Sequence, residues 1–347
     1  MLPVRRTLGA FVDVATPGMC PDGEGLGLGP PNGLGRWRFL LNESPGPAGE
    51  MKIRRDLPEL STSVELRTPA KINLTLAVLG KRPDGFHEIE SVVMPVGLYD
   101  HLALGDGPET GIHLSCDSPG LPTGPGNLVY RAAERLAERH GRHRGVQITL
   151  TKQIPVGAGL GGGSSDAAAT LVGLDRLWGL GLARSELMAL AADLGSDVPL
   201  FLHAGPAIIR GRGERVEPVD LDWPGWIVLV IPPFGMSTAE VYRGWQAGEA
   251  PPRAASEVVE AVRDGQSLEG LLYNMLEPPA FAVEPRLGAL HAELAALGAP
   301  GARLTGSGAA LFALFDVRNA ATAFAEQVSR QLGLETHVVR TIECEHP

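Results

Sequence analysis

The run Pro155-Val156-Gly157-Ala158-Gly159-Leu160-Gly161-Gly162-Gly163-Ser164-Ser165-Asp166 leads straight into an Ala- and Leu-rich segment. Residues without side chains let backbone N–H groups approach an anion, and a helix starting just after them adds unpaired donors and partial positive charge. That arrangement suits a triphosphate. No Lys follows the glycines, so the G-x-x-x-x-G-K-[ST] loop of Walker-type NTPases is absent and the cation must come from elsewhere. Lys152 is one candidate, and Ser164 and Ser165 offer hydroxyls to phosphate or to a magnesium ion, Ser165 being the expected metal ligand. Gly157, Gly159 and Gly162 also satisfy G-x-G-x-x-G, but no strand ending in an acidic residue follows about 20 residues on, as a dinucleotide fold requires. A plain glycine linker would not lie between an alternating strand and a capped helix.

Phosphoryl transfer to an alcohol needs charge neutralisation and a group that takes or orients the hydroxyl proton, typically Asp. Asp197, in Gly195-Ser196-Asp197-Val198-Pro199, is a carboxylate entering an apolar stretch. Read alone it is equally a turn or helix-cap residue. Lys71 could contact it, lowering a pKa and stabilising developing charge; alone, Lys71 is a solvated strand lysine. Thr305-Gly306-Ser307-Gly308 reads as a second close-approach turn or as a plain strand leader. Arg82-Pro83-Asp84-Gly85-Phe86-His87 reads as a turn whose Phe86 and His87 could stack on a nucleobase.

The elements around these residues follow from periodicity. From Val64 the text alternates, with Ile72, Leu74, Leu76 and Val78 on one face and Lys71, Asn73, Thr75 and Ala77 on the other, so Lys71 and Asn73 point the same way. Helices are expected from Asn127 to His140, from about Ser164 to Trp178 and from Ser185 to Leu194 with Ser185 as N-cap, and a strand from Gly145 to Ile154. A second set begins at Trp226: a strand to Ile231, helices near Glu240 and from Pro285 to Leu297, a strand from Ala310 to Phe315 and a helix from Ala320 to Leu332. The order is that of an α+β protein. We expect a lobe over residues 61–225 and a second over 226–347, preceded by a Gly- and Pro-rich extension over 1–60 that lacks a core and is partly disordered, with Met51 as an alternative start.

A chain of 347 residues with 44% hydrophobic and 20% charged residues is an ordinary globular protein, long enough for two lobes framing a cleft. A net charge of −10 argues against nucleic-acid binding. Cys20, Cys116 and Cys344 have neither metal-ligand spacing nor a disulfide pattern, and no apolar run spans a membrane, so the sequence reads as cytoplasmic.

Together the pieces resemble the GHMP kinase superfamily, whose three motifs correspond to Pro69-Ala70-Lys71-Ile72-Asn73-Leu74, to residues 155–169 and to Leu304-Thr305-Gly306-Ser307-Gly308. The Arg82–His87 turn, Gly195–Pro199 and Asn274-Met275-Leu276-Glu277 resemble the members that act on a cytidine-diphosphate-linked polyol, over the chain from about Val64 onward. The resemblance implies an N-terminal lobe like the second domain of ribosomal protein S5 and a ferredoxin-like C-terminal lobe. It implies ATP and magnesium as cofactors, Asp197 as base with Lys71 beside it, and Asn73 placing the polyol. ATP contacts would come from Asn127, Lys152 and the loop from Pro155 to Ser165, and substrate contacts from Phe86, His87, Thr238 and Gly306, with Lys81 near the base. Many relatives carry Tyr where this chain has Phe86. The implied partners are small molecules, and the expected state is a monomer or weak homodimer.

Overall fold

The computed structural model describes residues 63–342 apart from 108–109, 143–144, 249 and 300, so the N-terminal extension lies outside the described residues. In chain order the elements are β1 (Ser63–Asn73), β2 (Thr75–Lys81), β3 (His87–Asp106), β4 (Ile112–Cys116), α1 (Leu128–Arg139), β5 (Val146–Thr151), α2 (Gly162–Trp178), α3 (Arg184–Leu194), β6 (Ala207–Gly211) and β7 (Arg215–Pro218). They continue with β8 (Trp226–Ile231), α4 (Thr238–Gly244), α5 (Ala255–Arg263), β9 (Tyr273–Asn274), α6 (Glu277–Val283), α7 (Pro285–Ala296), β10 (Arg303–Leu304), β11 (Leu311–Phe315), α8 (Arg318–Leu332) and β12 (Glu335–Arg340).

Two sheets result, one of eight strands and one of four in the order β10-β11-β8-β12. In the large sheet the long β3 pairs antiparallel with β1, β2, β5 and β6, so it is the spine from which the other strands hang. The α+β, two-lobed expectation holds. The face of β1 and β2 expected to be polar is buried like its opposite: Lys71, Asn73, Thr75 and Ala77 are as enclosed as Ile72, Leu74 and Leu76. The second sheet covers the Ile72 side, where one apolar cluster joins Ile72, Val92 and Met94 to Ile227, Leu229 and Phe312, whereas the Lys71 and Asn73 side is closed by the turns at Gly161 and Gly306, which lie against those two side chains.

Boundaries moved where polar groups intervene. α2 starts at Gly162, two residues before Ser164, because Gly161 is left-handed (φ 74°) and turns the chain into the helix. Ser185 is not a cap: α3 begins at Arg184 after an extended Ala183 that makes no side-chain cap bond, which places Ser185 inside the first turn. β5 ends at Thr151 and not at Ile154, since the N–H groups of Lys152, Gln153 and Ile154 donate to the carboxylates of Asp117 and Asp100 and leave the sheet ladder.

Candidate functional site

The three motifs meet at one point. Lys71, at the inner end of β1, donates its backbone N–H to Leu160 of the glycine loop (2.9 Å), and Asn73 donates its own to Thr305 Oγ1 (3.1 Å). Every second residue from Gly157 to Gly161 is left-handed, with φ of 72°, 76° and 74°. Such a turn gathers N–H groups into an anion-binding concavity, and the first N–H groups of α2, which have no intrahelical partner, continue it. A Cβ at Gly161 would stand 2.8 Å from the ring of Phe201 and 3.0 Å from Lys71 Cγ, so only glycine lets the loop lie against these two side chains.

Lys71 is nearly enclosed. Its ammonium donates to Asn73 Oδ1 at 2.6 Å and stands 4.0 Å from Asp197 Oδ2. Its side chain is 6% exposed, whereas that of Asp197 is 37% exposed at the turn after α3. Burial lowers the Lys71 pKa and the facing Asp197 carboxylate opposes the fall. Asn73 is fixed in turn by donating to Ser91 Oγ at 2.8 Å. The pair thus presents a positioned cation and a carboxylate open to the cleft.

Two cavities flank them. One, about 710 Å³, is lined by Lys71, Asn73, Asp197 and Thr238, by Phe86 and His87, and by Lys81, Arg212, Tyr242 and Arg243. The other, about 320 Å³, is lined by the loop from Pro155 to Ser164 with Asn127 and Lys152. Gly159, Gly161 and Ser164 belong to both walls, so a phosphate seated there would lie between the two cavities and beside Lys71.

Most of the expected residues line one of the two cavities. Phe86 is 48% exposed at the cavity mouth, with the Arg212 guanidinium 5.1 Å from its ring centroid. The His87 ring packs on Tyr242 at 5.1 Å and edge-on to Trp245 at 5.5 Å, and burial followed by the charge of Lys81 lowers its pKa. Thr238 opens α4 and shares a 2.8 Å hydrogen bond with Ser307. Gly306 is left-handed, and a Cβ there would lie 3.3 Å from Lys71 Nζ and 3.4 Å from Asn73 Oδ1. Asn127 caps α1, accepting from Val129 N and donating to Pro122 O, both at 2.9 Å, so it builds the wall of the smaller cavity.

Two expectations change. Ser165 does not face either cavity: it is fully buried, and its hydroxyl shares a short hydrogen bond with Thr68 beneath the helix. The hydroxyl turned to the cleft is that of Ser164. Lys152 lines the smaller cavity, yet its ammonium is engaged by the buried carboxylates of Asp100 and, at 2.8 Å, Asp166. Among the described residues no group of three or more His, Cys, Asp or Glu could hold a metal.

Sequence reasoning did not single out Tyr242, Trp245, Arg212, Asp100 or Ser91. Tyr242 could have been found, since it lies four residues after Thr238 and therefore on the same helix face. The Asn274–Glu277 segment acquires a physical role: Asn274 Nδ2 donates to Leu304 O and Gly306 O at 2.8 Å, and Glu277 accepts from Leu304 N at 2.9 Å. These bonds fix the turn that carries Gly306.

The GHMP kinases N terminal domain matches residues 127–205 and GHMP kinases C terminal matches 254–333. A 4-diphosphocytidyl-2-C-methyl-D-erythritol kinase of Pelotomaculum thermopropionicum is 48% identical over 248 residues, covering 71% of this chain and 86% of that protein. One of Symbiobacterium thermophilum is 42% identical over 283 residues, covering 80% of this chain and all of its own length. A crystal structure of 4-(cytidine 5'-diphospho)-2C-methyl-D-erythritol kinase, 37% identical, superposes with a TM-score of 0.70 over 81% of this chain and all of that one. A homoserine kinase from Cytophaga hutchinsonii shares the fold at 20% identity and a TM-score of 0.65.

Proposed function

The chain belongs to the 4-diphosphocytidyl-2-C-methyl-D-erythritol kinase family of GHMP kinases, and from that premise we propose how its residues divide the work. The reaction is transfer of the γ-phosphate of ATP to the 2-hydroxyl of 4-diphosphocytidyl-2-C-methyl-D-erythritol, giving the 2-phosphate and ADP in the non-mevalonate route to isoprenoid precursors. The observation that carries the assignment is the Lys71–Asp197 pair at 4.0 Å, facing the wall that the two cavities share.

ATP occupies the smaller cavity with its phosphates on the loop from Gly157 to Ser164. The left-handed turns and the open N-terminus of α2 supply donors, and the space at Gly157 and Gly163 is free of close neighbours, so the cradle fits a polyphosphate. The cytidylyl polyol occupies the larger cavity, its base against Phe86 and the His87 wall. Lys81, Arg212 and Arg243 surround its diphosphate, and its polyol lies by Asn73 and Thr238. Asp197 accepts the proton of the 2-hydroxyl as that oxygen bonds to the γ-phosphorus, while the bond to the β,γ-bridging oxygen breaks and ADP leaves. Lys71, desolvated and fixed by Asn73, stabilises charge on the attacking oxygen and on the phosphoryl group. Magnesium, when bound with ATP, would be held at the wall shared by the two cavities by the Ser164 hydroxyl and would neutralise phosphate charge.

The test is ADP release from purified protein given ATP, magnesium and either 4-diphosphocytidyl-2-C-methyl-D-erythritol or unconjugated methylerythritol phosphate. Turnover that requires the cytidylyl group supports the assignment. Turnover with homoserine or mevalonate in its place would overturn it.

A further inference from the structure

Beneath the glycine loop lies a charged cluster that the phosphoryl transfer does not use. Asp100, fully buried on β3, and Asp166, 2% exposed in α2, both bind the ammonium of Lys152. Asp100 does more: its Oδ1 accepts from the backbone of Gln153 at 2.6 Å and of Ile154 at 2.8 Å, while Asp117 Oδ1 accepts from Lys152 N at 2.9 Å. Three successive N–H groups, the last before Pro155, are therefore gripped by carboxylates where the chain leaves the sheet. On the far side of the loop, a Cβ at Gly162 would lie 3.1 Å from Lys152 Nζ, so the ammonium is packed directly under the first turn of α2.

Burying two carboxylates with one ammonium is a costly way to gain stability. Such clusters often break even against an apolar replacement. This one leaves Asp166 Oδ1 buried without a partner, and burial next to Asp100 raises the Asp166 pKa to about 7 although Lys152 opposes the rise. What the cluster achieves is geometric. It ties residue 152, where the loop begins, to residue 166, one turn into the helix where the loop ends.

We propose that Asp100 and Asp166 are positioning residues for the nucleotide, acting through Lys152 as a staple that closes the glycine loop from behind and sets the spacing of its phosphate-binding N–H groups. On this account Lys152 serves ATP from underneath and not by a contact with its phosphates. The proposal rests on the reading of the loop as the ATP site, and the two fail separately: wild-type protein that does not bind ATP would remove that reading, whereas the variants address the staple.

The experiment compares Asp100→Asn, Asp166→Asn, Lys152→Met and the double variant Lys152→Met/Asp166→Asn. It measures ATP binding by titration calorimetry, KM for each substrate, and thermal midpoints. A staple predicts that each carboxylate-to-amide change weakens ATP by about tenfold while KM for the cytidylyl substrate stays within about twofold. It also predicts that the double variant binds ATP no worse than Lys152→Met, because an ammonium already gone leaves Asp166 nothing to position. If Asp166→Asn leaves ATP affinity unchanged, or tightens it because the freed ammonium reaches the phosphates, the proposal is overturned. An equal loss for both substrates, tracking a lowered thermal midpoint, would overturn it as well, reducing the cluster to a stabilising role.

Discussion

The Cα of Gly306 faces Lys71 so closely that one added methyl group would stand 3.3 Å from the ammonium. A left-handed φ of 60° at the same residue adds a backbone penalty for any other side chain. Gly306→Ala should therefore displace Lys71 or tilt the turn. We expect kcat to fall by roughly 10- to 100-fold, as misplacement by a fraction of an ångström does, with a modest drop in thermal midpoint. A kcat within about twofold of wild type would mean that the turn does not constrain Lys71.

Asp197→Asn keeps the shape of the side chain and removes its ability to take a proton. Turnover should drop by about 10²- to 10⁴-fold, the usual cost of losing a general base, while ATP affinity measured by calorimetry is retained. Near-normal turnover in this variant rules the base assignment out.

His87 lines the larger cavity, is held by Tyr242 and Trp245, and is one wall of the base pocket in the proposed function. His87→Ala should raise KM for the cytidylyl substrate by about tenfold, in the range of a lost aromatic contact to a base, and leave KM for ATP alone. Parallel increases in the two constants would place the base elsewhere.

Lys71 supplies a pH dependence with a definite sign. Because burial depresses its pKa, the ammonium loses its proton at a lower pH than an exposed lysine does, and the charge it offers disappears on the alkaline side. The pH profile of kcat/KM should fall there, before the ordinary lysine range is reached. In Lys71→Arg, whose guanidinium stays charged, that alkaline fall should be missing at a reduced overall rate. Persistence of the same fall in the arginine variant would assign it to another group.

Much of the site could be read in advance because its parts are backbone-driven. Glycines at 157, 159 and 161 are demanded by left-handed turns, and Lys71 and Asn73 share a face because strands repeat every two residues. Residues whose value depends on a distant partner could not be read this way. Nothing in the sequence near Asp100 says that a lysine fifty-two positions later will lie against it. Ser165 had the right type at the right place and the wrong orientation, since its azimuth on α2 turns it toward Thr68 while Ser164, one residue earlier, faces the cleft. Lys71 taken alone read as a solvated strand lysine because period-two alternation cannot announce the turns at Gly161 and Gly306 that close over it.

The glycine loop is bonded to both sheets at once: Lys71 of β1 donates to Leu160, and Ala310, just before β11, donates to Ala158 at 3.0 Å. Leu160 and Ala158 also belong to the apolar cluster that joins the two sheets. Neither sheet can melt without dissolving the loop proposed to seat the nucleotide. A saturating polyphosphate ligand should accordingly raise a single cooperative unfolding transition for the whole described body, by RT ln(1 + [L]/Kd), and should not split it into an early and a late event.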